Sequence, residues 1–323
     1  MKAISVFSGG LDSMLAAELI RAQGIDVLAL FFETPFFTAD RALVSARSID
    51  LPFKVVDITK RHLEVVKDPK HGYGGNMNPC IDCHALMFRI AGEMLESEEA
   101  AFIFSGEVMG QRPMSQNKKA LALVARESGL NGLLLRPLSA KCLPPTIPET
   151  NAWVIRENLK GFQGRSRKPQ MKMAADLKMN DYPSPAGGCL LTEKGFSRRL
   201  RDLLTSNPDV IVNQLEALKL GRHFRLNEHV KIVVGRNKRE NEKLKALAVK
   251  GDMILNTTSV PGPAVLLTGN LLSDSVEQAI QITLSYSDAR EGEVQEVHVA
   301  GPDINRTITA TVPDKAIFKS LMI

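Results

Sequence analysis

Two small groups of residues could do chemistry. The first is Ser8-Gly9-Gly10-Leu11-Asp12-Ser13, which follows an apolar run over residues 2–7 and precedes an Ala-rich stretch over 14–20. A strand, a glycine turn and a helix start together make an anion cradle, because backbone N–H groups point outward and the helix dipole favours negative charge. Two adjacent glycines let the backbone approach a phosphate without Cβ interference. Ser8 and Ser13 add hydroxyl donors. Asp12 would repel a bare phosphate, so a carboxylate here implies a bridging Mg²⁺. The bland alternative is a tight turn with Asp12 or Ser13 capping the helix. No G-x-x-x-x-G-K-[ST] stretch occurs and no lysine follows the glycines. The loop therefore lacks the parts that a Walker loop uses for γ-phosphoryl transfer.

The second group is cysteines. Cys80 and Cys83 form a C-x-x-C directly after Asn78-Pro79, at an expected helix start, and Cys189 follows Gly187-Gly188 in a separate loop. A helix N-terminus lowers a thiol pKa and favours thiolates. Two soft ligands on one turn and a third from a remote loop could hold three corners of a 4Fe–4S cluster, leaving one iron without a protein ligand. The same three could bind zinc, with His84 or Cys142 as a fourth ligand, or work as a persulfide carrier with a resolving partner. Buried structural thiols are the bland alternative. Cys142 has no cysteine near it in sequence and reads as structural.

The elements that must position these groups follow from periodicity. Residues 2–7, 26–32 and 53–58 read as strands and 11–23 and 39–49 as helices. Strands alternating with helices imply a parallel sheet with both faces covered, an α/β fold with ligands at the carboxyl ends of the strands. Residues 8–13 and 32–34 fall at those ends. A Gly/Pro-rich loop over 68–79 leads into a helix over 81–96, a strand over 101–105 and a short strand over 133–137, and 149–158 reads as a short helix. A second breaker, Tyr182-Pro183-Ser184-Pro185-Ala186-Gly187-Gly188, follows. The last hundred residues change texture. Strands over 230–234, 252–256, 264–268, 296–300 and 306–311, with helices over 240–248 and 275–287, make a smaller α+β module. The expected division is a catalytic domain over 1–180, a linker with basic helices over 181–225 and the α+β domain over 226–323.

At 323 residues the chain can bury a full core and hold two domains. Its hydrophobic content of 44% and charged content of 24% are ordinary for a globular protein. No apolar run reaches membrane-spanning length and no secretory leader pattern opens the chain, so a cytoplasmic location is expected. Four cysteines in that compartment favour metal or redox roles over disulfides. The net charge of +5 is unevenly spread, with basic residues concentrated between Arg156 and Lys245. Such a band reads as a polyanion footprint, RNA being the obvious candidate, or else as solvated helix faces.

The hexapeptide at 8–13 resembles the PP-loop, S-G-G-x-D-S, of the PP-loop ATP pyrophosphatases. Asn78-Pro79-Cys80-Ile81-Asp82-Cys83-His84 is similar to the N-P-C-x-x-C-N stretch of tRNA 2-thiouridylases, with His84 in place of the usual Asn. Ser105-Gly106-Glu107-Val108-Met109-Gly110-Gln111, with Ser115-Gln116 and Arg136-Pro137-Leu138 after it, resembles the corresponding stretches of tRNA 4-thiouridine synthases. The resemblance covers roughly residues 1–200 and implies a Rossmann-like PP-loop domain. It implies ATP held by Ser8, Gly9, Gly10, Leu11, Asp12, Ser13, Phe32, Gly106 and Gln111, with Mg²⁺ on Asp12, and cleavage at the α-phosphate. Asp12, Cys83 and Cys189 would be catalytic, and Cys80, Cys83 and Cys189 the metal set. No THUMP-type or rhodanese stretch is found, so RNA docking and sulfur delivery are expected to be solved differently.

Lys231-Ile232-Val233-Val234-Gly235-Arg236-Asn237-Lys238-Arg239-Glu240-Asn241 resembles the G-R-N motif of NFACT-R-type domains. Val260-Pro261-Gly262-Pro263 and Tyr286-Ser287-Asp288-Ala289-Arg290 fit the same family. Arg236, Lys238 and Arg239 suit phosphates and Asn237 suits hydrogen bonding, and Arg198 and Arg199 of the basic band are expected as further RNA contacts. The reading is an ATP-dependent tRNA uridine thiolase whose sulfur donor is a cysteine desulfurase persulfide or inorganic sulfide. The alternatives are a PP-loop ligase or thiolase acting on a small molecule, and a nucleotide-sensing RNA-binding factor.

Overall fold

The computed structural model describes residues 1–184, 189–302 and 304–323. The stretch Pro185-Ala186-Gly187-Gly188 before Cys189, part of the breaker named above, lies outside them. The chain folds as two compact units, Met1–Thr192 and Glu193–Ile323.

In the first unit β1 (Lys2–Val6), α1 (Leu11–Arg21), β2 (Asp26–Glu33), α2 (Asp40–Ser48) and β3 (Phe53–Asp57) follow in the expected alternation. Then come α3 (Thr59–Lys67), α4 (Cys80–Glu93), β4 (Phe102–Ser105), α5 (Lys118–Glu127), β5 (Leu134–Leu135), α6 (Ile147–Thr150) and α7 (Lys168–Asp176). The five strands are parallel in the order β3-β2-β1-β4-β5. Alternate residues of each strand feed two cores. Ala3, Ala29, Phe31, Phe102, Phe104 and Leu135 pack on one face with Leu11, Met14 and Ala17 of α1. Ile4, Leu28, Leu30, Phe32, Ile103 and Leu134 pack on the other with Leu86, Phe88 and Ile90 of α4 and Val124 of α5. Both faces are covered, which is why these strands read as near-continuous apolar runs.

Three local expectations differ. Helices α3, α5 and α7 appear where no element was expected. In α5, Ala120, Leu121 and Val124 are buried and Asn117 caps the start by accepting from Ala120 N–H at 2.9 Å. The expected strand over 133–137 shrinks to Leu134–Leu135. The expected helix over 149–158 is the four-residue α6 followed by a 3₁₀ turn, Arg156–Asn158. Ala152 at φ 54° breaks it, and Trp153 leaves to stack on Phe102 with ring centroids 6.4 Å apart.

The second unit comprises α8 (Lys194–Ser206), α9 (Val212–Ala217), β6 (Arg222–Asn227), β7 (Val230–Val234), α10 (Lys238–Leu247), β8 (Met253–Thr257), β9 (Ala264–Gly269), α11 (Ser273–Ser285), β10 (Val294–Ala300) and β11 (Asn305–Thr311). Its six-stranded sheet runs β11-β10-β8-β9-β7-β6, every pair antiparallel. Ile232, Val234, Leu255, Val265, Val297 and Val299 form the core with Ala279, Ile280 and Ile282 of α11. The segment over 181–225, expected as a linker, is not one. Its helix α8 buries Phe196, Leu200 and Leu203, and Asp202 of that helix accepts bonds from Arg225 and Lys231. The residues just before it belong to the first unit, where Met77 N–H donates to Leu191 O at 3.2 Å. No helix among the described residues is long and apolar enough to cross a membrane.

Candidate active site

The turn after β1 is built for close approach. Gly9 sits at φ 74°, and a Cβ there would lie 2.5 Å from Ala42 Cα, so only glycine fits. Helix α1 opens on Gly10 with no side-chain cap. The capping alternative for Asp12 and Ser13 does not hold, since Ser13 Oγ donates to Gly10 O at 2.7 Å instead. First-turn N–H groups of a helix have no intrahelical acceptor, so an uncapped start can receive an anion.

Asp12 accepts from Gln111 Nε2 at 2.9 Å through Oδ2. Its Oδ1 is buried and has no partner among the described residues. A buried carboxylate oxygen left unpaired is costly. A hard cation would satisfy it, so the donor set of Asp12 Oδ1 with the Ser8 and Ser13 hydroxyls fits Mg²⁺ and a pyrophosphate. Phe32, also expected here, is 3% exposed in the core at the end of β2, so only its backbone is placed to meet a ligand.

The chain leaving β4 touches both candidate centres. Gly106 packs so tightly on α1 that a Cβ would lie 2.5 Å from Ser13 N. Glu107 is buried and reaches the other way, with Oε1 2.9 Å from His84 Nδ1 on α4 and Oε2 accepting from Arg136 Nε at 2.8 Å. Burial alone would raise the Glu107 pKa, but the Arg136 charge and the His84 hydrogen bond outweigh it and hold the carboxyl well below the usual range. An ionised Glu107 orients Nδ1 of His84 as the donor, which pins the residue next to Cys83. Gln111, four residues on, returns to Asp12.

Cys80 and Cys83 occupy the first turn of α4, and Cys189 lies near enough that its charge, with that of Cys80, acts on Cys83. The expectation of thiolates at the helix start is reversed. Burial is the first cause pushing all three thiols up. Cys83 is raised further by Cys189, Cys80 and Asp82. At Cys80, Asn78 and Arg112 pull weakly the other way. Among the described residues no three His, Cys, Asp or Glu side chains stand close enough to share one metal ion. That arrangement does not suit the zinc alternative. Cluster thiolates each bind a different iron, so they need not crowd one point. Cys142 donates to Gly161 O at 3.3 Å, in keeping with a structural role.

His62 was not foreseen. It is fully buried on α3, with Nε2 3.2 Å from Cys83 Sγ and the rings of Phe36 and Phe37 each 5.5 Å away. Burial pushes its pKa down to about 4. A lone histidine in a polar helix carries no sequence signal; only the fold brings it to the cysteine.

In the second unit the basic band divides into paired and unpaired cations. Arg225 and Lys231 both bind Asp202, and burial pushes Lys231 down to about 8. Arg236 donates to Glu240, while Asn237 caps α10 by accepting from Glu240 N–H at 3.0 Å. Arg199 is half-buried, and burial and then the Arg236 charge lower its pKa. Arg198, Lys238 and Arg239 are exposed and form no ion pair among the described residues.

Residues 1–141 match the family model described as thiamine biosynthesis protein (ThiI), and residues 221–319 match the NFACT protein RNA binding domain. Among curated proteins, a tRNA-specific 2-thiouridylase MnmA of Karelsulcia muelleri is 34% identical over 125 residues, covering 35% of this chain and 32% of that one. A "Probable tRNA sulfurtransferase" of Thermotoga maritima is 31% identical over 186 residues, covering 47% of each chain. The chain thus spans about a third to a half of the length of these relatives. Among solved structures, a predicted subunit of a tRNA methyltransferase from Methanocaldococcus jannaschii overlays with a TM-score of 0.36 at 16% identity, covering 55% of this chain and 76% of that one. Two family models thus divide the chain between them, the ThiI model over residues 1–141 and the NFACT RNA binding domain model over residues 221–319.

Proposed function

We propose that the protein thiolates a uridine of tRNA at the expense of ATP. The observation that carries this reading is the segment after β4. One short stretch contacts Asp12 of the phosphate loop through Gln111 and His84 of the C-x-x-C-H turn through Glu107, so nucleotide and sulfur chemistry meet at one strand end. Residues 8–13 would hold the β,γ-pyrophosphate, and Asp12 would hold a Mg²⁺ that offsets its charge. The uridine carbonyl oxygen attacks the α-phosphorus, the bond to pyrophosphate breaks, and an adenylated base results. A sulfur nucleophile held at Cys80, Cys83 and Cys189 then adds to the activated carbon, and AMP leaves with the oxygen. The base must be unstacked to reach the site, and the NFACT-type domain supplies sequence-independent contacts through Lys238, Arg239 and Arg198.

The finer proposal is that the three cysteines hold a 4Fe–4S cluster. When bound, the cluster would supply one iron free of protein ligands for an external sulfide. A second reading is favoured by the His62 contact with Cys83. In it a donor first loads a persulfide on one cysteine. The persulfide sulfur attacks the activated carbon as AMP leaves, a second thiolate then displaces thiouridine, and the resulting disulfide is reset by an external thiol reductant.

The test is tRNA-dependent pyrophosphate release. Wild-type protein should form AMP and pyrophosphate only with tRNA present, and Asp12→Ala should abolish it. ADP and phosphate as products would defeat the PP-loop reading. Each of Cys80→Ala, Cys83→Ala and Cys189→Ala should remove iron from anaerobically prepared protein while leaving nucleotide binding intact. Iron-free protein that still thiolates tRNA from a persulfide donor selects the relay.

A further inference from the structure

The phosphate loop has a charge problem. It carries no lysine, Asp12 adds a negative charge, and the buried Arg136 is spent on Glu107. Mg²⁺ offsets only part of a triphosphate. A further cation must come from elsewhere in the first unit.

The chain supplies one beside Gln111. Gln163 forms a parallel bridge with Met109, and Gly164 N–H donates to Met109 O at 2.7 Å. Gly110, at φ 78°, packs against this bridge, and a Cβ on it would lie 3.2 Å from Gly164 N. The segment Gly164-Arg165-Ser166-Arg167 therefore starts two residues from the side chain that holds Asp12 and runs into the nine-residue α7. Helix α7 packs on α1 through Ala174, which shares a core with Leu11 and Met14. One turn before Ala174, and on the same face, is Gln170.

Gln170 is 0% exposed, yet neither its Oε1 nor its Nε2 has a partner among the described residues. Arg167 Nε is likewise buried and unpartnered among them. Two adjacent polar side chains on one helix start, both left unsatisfied, are what a ligand-free site shows when the ligand supplies the missing bonds. Pro169 has no N–H and Lys168 N–H donates to Ser166 Oγ, so the donors present are the Arg167 guanidinium and the Gln170 amide N–H₂, and a guanidinium with an amide donor calls for an anion.

We propose that Arg167 and Gln170 form a second phosphate-binding element of the nucleotide site, opposite the loop at 8–13, clamping the phosphates of the bound nucleoside triphosphate. This rests on the nucleotide-binding reading above. RNA phosphate has the same chemistry, but the tie through Met109 and Gln111 to Asp12 places the element with the nucleotide.

The experiment measures binding of Mg²⁺ with α,β-methylene ATP, with adenosine as the phosphate-free probe and tRNA as the RNA probe. Arg167→Met keeps the buried shaft and removes the charge. It should weaken the triphosphate analogue about tenfold to a hundredfold, with adenosine within about twofold and Arg167→Lys between the two. Gln170→Leu supplies the readout that a structural role would not give. Removing an unsatisfied buried amide should raise the thermal midpoint while lowering affinity for the analogue about tenfold. Unchanged analogue binding in both variants overturns the proposal, as does an equal loss for adenosine. Loss of tRNA binding with the analogue unaffected also overturns it and moves the element to RNA. If wild-type protein does not bind the analogue, or Asp12→Asn binds it as wild type does, the nucleotide reading itself has failed.

Discussion

Replacing Arg136 with methionine should unlock the network that joins the two centres, and its cost can be worked from burial. Arg136 and Glu107 are 6% and 7% exposed, 2.8 Å apart, and Arg136 Nη2 also donates to Leu121 O at 3.2 Å. Methionine fills much of the volume but leaves Glu107 buried with only His84 and Ser105 as partners. Breaking a buried pair from one side typically costs about 3–5 kcal/mol. The sole tryptophan, Trp153, stacks on Phe102 in the same unit, so urea unfolding followed by its fluorescence reports this unit alone. The pH dependence carries a sign. In the wild type the Glu107 pKa lies below its unfolded value, so its contribution is present above about pH 4.5 and fades as pH falls through the depressed folded pKa. In Arg136→Met, burial without the cation lifts that pKa above the unfolded value, so protonation relieves the variant. The deficit should therefore be largest near pH 7, shrink as pH falls through the variant's raised pKa, and shrink further below about pH 4.5, where the wild type loses its own contribution. The double variant Glu107→Leu with Arg136→Met should recover most of the loss. A deficit under about 1 kcal/mol at pH 7, or a double variant no more stable than the single, would refute the reasoning.

Other outcomes are as specific. Gly106→Ala forces a Cβ to within 2.5 Å of Ser13 N and should abolish binding of α,β-methylene ATP by equilibrium dialysis; wild-type affinity would show the loop yields. His62, with a folded pKa of about 4 against 6.5 unfolded, contributes stability that is present above pH 6.5 and drains away as pH falls, by about 3 kcal/mol at pH 4. His62→Gln should remove that acid-side loss from the Trp153 urea titration, and an unchanged profile would count against a neutral buried imidazole. Lys238→Ala with Arg239→Ala should lower tRNA affinity and reduce the slope of log affinity against log salt by about 2. Arg236→Ala alone should do less, because Glu240 already holds its guanidinium; an equal effect from Arg236 would mean that the pair opens for RNA.

Much of this was legible in the residues, for reasons that differ from place to place. The β1 turn was readable because glycine pairs and strand-to-helix periodicity are local signals. The same holds for β7, where the β-branched Val230, Ile232, Val233 and Val234 surround Lys231 and all five are buried. Helix α3 was not, since Lys60, Arg61, Glu64 and Lys67 break up its apolar face and it buries only His62, Leu63 and Val66. Helix α5 hides behind a turn of Gly110, Pro113 and Asn117. The basic band showed its sign but not its pairing: Asp202 lies more than twenty residues from Arg225 and Lys231 in sequence, and only the packing of α8 brings them together. Thiol acidity was misread because helix position is local, whereas burial, the larger effect here, is tertiary.

The strand order explains how the two proposed chemistries could share one end of the sheet. From β1 the chain runs to β2 and β3 on one side, while β4 and β5 lie on the other. Connections that depart in opposite directions open a crevice at the carboxyl ends of β1 and β4. Residues 8–13 leave β1 at that crevice, and residues 106–111 leave β4 beside them. The sheet itself therefore fixes the separation between phosphate loop and cysteine helix, through backbone that is too tight at Gly106 to admit a Cβ. In the proposed reaction a base activated at the α-phosphate meets the sulfur centre without a domain movement between the steps. A short-lived adenylate favours that arrangement, because water competes with sulfur for the activated carbon for as long as the intermediate waits.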